Sequence, residues 1–357
     1  MLTLLRLEHK LRTLAARSLT PKFFMELYSA NRKKFIKSIT TALKKPIANA
    51  EYPTSVCGLK FRNDLGNAAG LDKDGSLLEF NYFLGAGFAI VGTVLNKPHT
   101  GNLFKVRKKE FNPWVPLPHS HSALNSLGLP SLGINESIKN IKIFKDKYTD
   151  DGFPVGISIM GHPLQEGQEK LDGILECVEK SIGVADFIEI NESCPNVQHK
   201  SDDGLEQRLK AVTAIKKSTP VFVKLGSLGD PDKTIRTMDS CNADGLVLLN
   251  TQKDYELYRP KLKENDLKIF DYYTEKYQGG LSGEIIRNTS FESVKLANDK
   301  IKELNSKLQI IHVGGINTKA DMKESREIAI LREWYTGFME HLGTKKAHLV
   351  YPEMVKP

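Results

Sequence analysis

Cysteine is scarce in this chain of 357 residues: there are four, at positions 57, 177, 194 and 241, with no CxxC pair among them. That spacing excludes a disulfide-stapled scaffold and a zinc ribbon, and the thiols are expected to be reduced. Long apolar runs are missing too. Within the two apolar-patterned segments of residues 1–50 no window of about 18 residues is free of charge, which argues against either being a membrane-spanning helix, and the apolar stretches there are broken by Arg and Lys, unlike a cleaved secretory signal. No GxGxxG follows a strand-like run, so an embedded Rossmann dinucleotide site is not expected. There is no internal repeat and no low-complexity tract. What remains is an ordinary globular composition, 40% hydrophobic and 26% charged, which excludes wholesale disorder, collagen and coiled coil. The length suits one barrel of about 250–300 residues with an extra segment, or two ordinary domains.

The net charge of +8 invites a nucleic-acid reading until it is divided along the chain. Residues 1–50 hold 11 Lys+Arg against only Glu8 and Glu26, a net +9, so the remaining 307 residues carry −1. The basicity belongs to an arm and the body is neutral, which favours a surface-docking segment over a body that wraps a polyanion. Within the arm, Leu4, Leu7, Leu11 and Leu14, then Phe23, Phe24, Leu27, Tyr28, Phe35, Ile36 and Ile39 recur at helical spacing, and Thr20-Pro21 marks the start of a second helix. Two amphipathic helices with cationic faces are suited to a bilayer interface. A helical hairpin packed on the body and an Arg-containing mitochondrial transit peptide are the other readings of the same residues.

From Val56 onward, short β-rich runs alternate with amphipathic segments. Strands are expected at Gly66–Gly70, Ala89–Val94, Val155–Met160, Phe187–Asn191, Val221–Leu225, Leu246–Asn250 and Ile310–Gly314. Helices are expected at Ser76–Leu84, Glu169–Ile182, Leu205–Lys217, Lys233–Cys241 and Phe291–Leu304. About eight such units predict an α/β fold, a (β/α)8 TIM barrel over residues 51–357 behind an N-terminal helical arm over residues 1–50. The eighth strand, Ile328–Tyr335, carries Arg332 and Glu333 where a barrel strand should be apolar.

Polar residues gather at the carboxyl ends of these strands: Ala69-Gly70-Leu71-Asp72-Lys73, Gly92-Thr93, Asn191, Lys224, Asn250-Thr251 and Gly314-Gly315. That rim is where barrels assemble active sites. Gly279-Gly280-Leu281-Ser282-Gly283, expected to precede a helix, and Gly314-Gly315 offer bare backbone N–H groups for a phosphate, although each cluster taken singly reads as a turn. The motif Asn191-Glu192-Ser193-Cys194-Pro195-Asn196-Val197 directly follows a strand. It places a thiol between two amides, and amides that donate and accept can read a planar ring with carbonyl and N–H groups. Cys194 is therefore a candidate base, while Cys57, Cys177 and Cys241 are read as small buried hydrophobes.

Together with Gly66–Gly75, Gly92-Thr93-Val94, Val313-Gly314-Gly315-Ile316 and Tyr335-Thr336-Gly337-Phe338, these motifs resemble those of dihydroorotate dehydrogenases, FMN enzymes of pyrimidine synthesis, from about Val56 to Phe338. The helical arm resembles the membrane-associated, quinone-using class 2. The resemblance implies that Ala68, Ala69, Gly70, Thr93 and Ser158 line the flavin, that Asn191 and Asn250 also touch it, and that Lys224 sits near its pyrimidine end. Ser282, Gly283, Gly314, Gly315, Tyr335 and Thr336 would hold the phosphate. Lys73, Asn125, Asn191, Asn196, Asn250 and Thr251 would bind dihydroorotate or orotate, and Cys194 would take the proton from C5. A quinone would reoxidise the flavin near the arm, and the protein would sit peripherally on the cytoplasmic face of a bacterial inner membrane or on the mitochondrial inner membrane. Neither a metal nor a nucleic-acid partner is implied.

The chain also departs from the family pattern. Cys194 stands where class 2 has Ser and class 1 has Cys. Ser126, Leu129 and Pro130 stand where an Arg, an aromatic and a second Asn are usual, and Ser158 replaces a flavin-contacting Asn. Two other readings follow: a related FMN barrel acting on another pyrimidine, free or in tRNA, and a flavin-binding homologue with an eroded substrate wall. The neutral body argues against the tRNA version.

Overall fold

In the computed structural model, residues 2–106, 109–148, 152–193 and 204–356 are described. Eight parallel strands form the predicted barrel: β1 Leu65–Asn67, β2 Ala89–Val94, β3 Val155–Ile159, β4 Phe187–Asn191, β5 Val221–Leu225, β6 Gly245–Leu248, β7 Gln309–Val313 and β8 Leu331–Trp334. Each pairs with its neighbour in chain order, β8 returns to β1 through Glu333↔Gly66, and a parallel bridge Gly66↔Phe88 brings the β1 and β2 ends together. The observed β1 is shorter than the expected Gly66–Gly70, because Ala68 onward turns into the rim, where Gly70 donates its N–H to Gly92 O.

Alternation along the strands sorts the core into two shells. Ile157, Ile159, Ile188, Ile190, Val221, Val223, Leu246 and Ile310 face outward and pack with the surrounding helices. Phe88, Ile90, Phe187, Phe222, Val247, Ile311 and Leu331 face the barrel axis. A hairpin, Thr54–Val56 with Leu59–Phe61, plugs the lower end with Val56 and Phe61. Burying one such side chain contributes about 1.5–3 kcal/mol, so this lower interior is fold, not pore. Cys57 departs from expectation: it occupies the tip of that hairpin at φ 50° and is exposed, whereas Cys177 and Cys241 are buried.

The eighth strand resolves its own anomaly. Arg332 points outward and is matched by Asp64, with Nη1 2.9 Å from Oδ2, while Glu333 points inward to Lys224. Both are buried and both are paired, which is the condition for burying charge. The helix Pro231–Ser240 starts on Asp230, whose carboxylate accepts from Lys233 N, and Lys319–Arg326 starts on a Thr318–Asp321 capping box.

Two features build the cleft above the barrel. Gly280–Gly283 is not a turn before a helix but a strand, pairing antiparallel with Ser122–Asn125, which pairs with Trp114–Leu117. Helices α1 (Leu2–Ser18) and α2 (Pro21–Thr40) lie beside it. Thr20 caps α2, its Oγ1 accepting from Phe23 N at 3.4 Å. α1 packs on the helix Thr336–Thr344, and α2 packs on Glu264–Tyr277 and Trp114–Leu117. Phe24, Met25 and Ile39 are buried there, while Leu7, Leu11, Leu14, Phe23 and Leu27 remain 40–57% exposed. No described helix is long and apolar enough to cross a membrane.

Candidate active site

The carboxyl ends of the strands open into a cleft enclosing, with its mouth, about 1420 Å³. Nearly every described candidate from the sequence lines it: Ala68, Ala69, Gly70, Lys73, Thr93, Asn125, Asn191, Lys224, Asn250, Thr251, Ser282, Gly283, Gly314, Gly315, Tyr335 and Thr336. Ser158 lies beneath the lining, fully buried, and acts through its neighbours. Cys194 and Asn196 fall outside the described residues.

The wall at β4 and β6 is a hydrogen-bonded network centred on Ser193, a residue whose part in the site the sequence alone does not reveal. Ser193 donates from Oγ to Asn191 Oδ1 at 2.7 Å and accepts from Asn250 Nδ2 at 2.7 Å. Each amide is thereby fixed with its remaining polar atoms toward other partners: Asn191 Nδ2 reaches Thr93 Oγ1 at 2.9 Å, and Asn250 Oδ1 accepts from Thr251 N at 2.7 Å. The only signal for it is its place inside the motif, next to Cys194. On the opposite wall, Asn125 Nδ2 reaches Gly280 O at 3.4 Å.

The network continues into the floor. Ser158 donates to Glu189 Oε1 at 2.6 Å. Its single hydrogen is thus used, and Thr93 Oγ1, 3.1 Å away, must donate to it. Glu189 Oε2 lies 3.3 Å from Lys224 Nζ, and Glu333 Oε2 lies 3.2 Å from the same ammonium. The net direction for Lys224 is upward: burial alone would lower it, and the two carboxylates outweigh that. Glu333 is raised, first by burial, with Glu189 adding to it and Lys224 opposing. Neither Glu189 nor Glu333 stands out as a site residue in the sequence, because a charged residue inside a strand looks like an error until its partner is seen.

At the other end, the glycines form a cradle that side chains would fill. A Cβ on Gly283, φ 99°, would stand 2.5 Å from His121 O, and one on Gly315, φ 74°, would stand 2.3 Å from Arg287 Cα. Thr336 opens a nine-residue helix whose free N–H groups face the same place, and its Oγ1 is 3.0 Å from Ser282 Oγ. Bare backbone donors at a helix N-terminus suit a phosphate. Tyr335 OH accepts from Arg32 Nη2 of α2 at 2.6 Å, which ties the arm to this end.

The arm closes one side of the cleft. Arg12, Trp114, Pro116, Met339 and Glu340 line it. Arg12 is buried between Glu8, at 2.7 Å, and Glu340, at 3.2 Å, and Tyr28 OH donates to Glu8. Burial would raise Glu340, but His121 and Arg12 hold its carboxyl below the usual range. The docked-hairpin reading of the arm is therefore correct for one face of it.

A family model described as "Dihydroorotate dehydrogenase" matches residues 52–340. Curated relatives named dihydroorotate dehydrogenase (quinone) include that of Proteus mirabilis, 30% identical over 81% of this chain and 83% of the relative, and that of Citrobacter koseri, 31% identical over 80% and 82%. The crystal structure of DHODH from Eimeria tenella in complex with ferulenol superposes with a TM-score of 0.72 at 23% identity, covering 90% of this chain and 89% of that one. That last likeness concerns the fold. On the match from residue 52 to 340, and on relatives this similar over four-fifths of the chain, the protein belongs to the dihydroorotate dehydrogenase family.

Proposed function

We propose that the protein oxidises dihydroorotate to orotate in pyrimidine synthesis, with FMN in the cleft and a quinone as the onward acceptor. The single observation that carries this reading is the convergence of Lys73, Asn125, Asn191, Asn250 and Thr251 on one cleft whose far end is the glycine cradle. The cradle fits the phosphate of FMN, with Gly283, Gly314, Gly315, Tyr335 and Thr336 as its holders. When bound, FMN supplies the acceptor for the hydride from C6 of the substrate. Everything else is positional. Lys73 offers the cation that the substrate carboxylate needs, and the amides fixed by Ser193 read the carbonyl and N–H edges of the ring without reorganising at each turnover. Cys194, one residue beyond Ser193, is the base that takes the proton from C5.

The arm supports a peripheral seat at the membrane holding the quinone, which in a bacterial cell is the cytoplasmic face of the inner membrane. Leu7, Leu11 and Leu14 share one outward face of α1, and Phe23 and Leu27 one of α2; all five stay exposed although they are large and apolar. A cationic arm that keeps these apolar residues on its outer face while its inner side packs on the body and brings Arg12 to Glu340 at the cleft is suited to lying on anionic lipid while framing a path for a lipid-soluble acceptor.

Anaerobic mixing with dihydroorotate tests the reading directly. The flavin band of the wild-type chain bleaches, and Cys194→Ser slows the bleaching by at least about 10²-fold, the lower range for loss of a general base. No bleaching of a flavin-loaded chain overturns the reading in favour of an FMN barrel acting on another pyrimidine or a flavin-binding homologue, and an unchanged rate in Cys194→Ser removes that thiol from the chemistry.

A further inference from the structure

One ammonium on the cleft floor faces two carboxyl groups. Lys224 on β5 is within 3.3 Å of both Glu189 on β4 and Glu333 on β8, and none of the three side chains is more than 3% exposed. With all three ionised, the layer would carry a net negative charge where water does not reach, which is costly. One added proton removes it. The hydrogen bonds show where that proton belongs. Both oxygens of Glu189 are engaged, Oε1 by Ser158 and Oε2 by Lys224. Glu333 has only Oε2 engaged by a side chain, and its Oε1 is buried without a hydrogen-bond partner on a residue that lines the cleft.

We propose that Glu333, in its neutral form, is a positioning residue of the cofactor site: its carboxyl O–H donates to an acceptor atom of the bound flavin ring, and the Glu189–Lys224 pair keeps the proton on it. The proposal rests on FMN occupying the cleft. It explains why a carboxylate-bearing strand is tolerated in the barrel interior, since an orphaned buried oxygen is a cost only until a ligand atom meets it. The direction of its titration agrees, because burial and then Glu189 raise Glu333 against the opposing pull of Lys224 and the Ala69 amide. No other ionisable side chain shares this inner layer among the described residues: β2, β3, β6 and β7 present Ile90, Ser158, Val247 and Val313. Lys73 from the rim and Arg12, Glu284 and Glu340 from the arm end complete the charged groups that line the cleft.

The test is equilibrium binding of FMN and, separately, of riboflavin to the flavin-stripped chain, read by fluorescence quenching from mildly acidic to alkaline pH. Riboflavin has the ring without the phosphate, so phosphate titration cannot imitate the effect. The wild-type chain is expected to bind both ligands roughly tenfold more weakly once Glu333 has lost its proton, the usual scale for one hydrogen bond to a buried group. Glu333→Gln, a permanently neutral donor, is expected to bind without that pH dependence. Glu189→Gln, which removes the neighbouring negative charge, is expected to move the transition to lower pH, a shift that a merely structural role would not produce. A wild-type profile that is flat, or one that Glu333→Gln and Glu189→Gln leave in place, overturns the proposal. A wild-type chain that binds neither flavin at any pH overturns the cofactor reading as well, so the two failures are distinct.

Discussion

The lower and upper halves of the barrel interior are built by the same strands and have opposite character. Below, Phe61, Phe88, Phe187 and Phe222 stack edge to face or tilted at centroid distances of 5.5–6.4 Å. Two residues further along, Phe187 gives way to Glu189, Phe222 to Lys224 and Leu331 to Glu333. Two residues is roughly 7 Å of strand. Over that distance the interior passes from a layer that needs no ligand to one whose hydrogen bonds are incomplete without one. The alternation that makes the strand also makes this possible: positions two apart share a face, so a strand can use one inward position for packing and the next for chemistry without altering its outer face.

Lys224→Met is expected to disturb this contrast most. Removing the cation leaves two buried carboxyl groups together, which costs about 3–5 kcal/mol of stability, and flavin affinity falls at the same time by roughly tenfold or more. The stability loss depends on pH with a definite sign. Lys224 normally opposes the rise of Glu333 above its ordinary value of 4.5. Without it Glu333 moves further up, and a carboxyl whose folded value is raised contributes stability below its unfolded value and loses it as pH rises. Urea denaturation should therefore show the variant closest to wild type in acid and weakest at alkaline pH. Phe187→Ala probes the same contrast from below. It costs a similar 3–5 kcal/mol, roughly, by leaving a cavity, but with no pH dependence, and the folded fraction binds FMN as the wild type does. A fall in flavin affinity per folded molecule would show that the two layers are not separable.

The contrast also marks how much the sequence discloses by itself. Strands β2, β4 and β5 are legible to the residue because they are apolar runs bounded by turn signals, and their polar carboxyl ends locate the site. β8 is the weakest because its two charges are explained only by Asp64 and Lys224, which are distant in sequence by 268 and 109 positions. The helices Ile134–Lys147 and Glu264–Tyr277 escape the strand–helix count, and Gly280–Gly283 reads as a turn because its partner strand, Ser122–Asn125, lies more than 150 residues earlier in the chain. Cys57 looks like a core residue since a lone cysteine usually is, but its position at a hairpin tip is set by Gly58 and the left-handed backbone there. Lining residues can be inferred one by one from motifs; the connections between them, through Ser193 and Ser158, cannot, because a hydroxyl pairs with whatever the fold brings near it.

Ser158→Ala is the mildest intervention and asks whether those connections amount to one network. The hydroxyl links Thr93, and through it Asn191, to Glu189. Its loss leaves Glu189 Oε1 and Thr93 Oγ1 each short of a partner at no cost in packing volume beyond one oxygen, so about 1–3 kcal/mol of stability is expected to go. The informative measurement is the double variant with Glu333→Gln. Ser158 and Glu333 do not touch; they meet only through Glu189 and Lys224. If the floor acts as a unit, the two substitutions are non-additive in denaturation free energy by about 0.5–3 kcal/mol, because each alters the charge state that the other stabilises. Additivity within a few tenths of a kcal/mol would instead separate the amide wall from the charged floor, and the substrate end and the flavin end of the cleft would then be held by independent sets of residues.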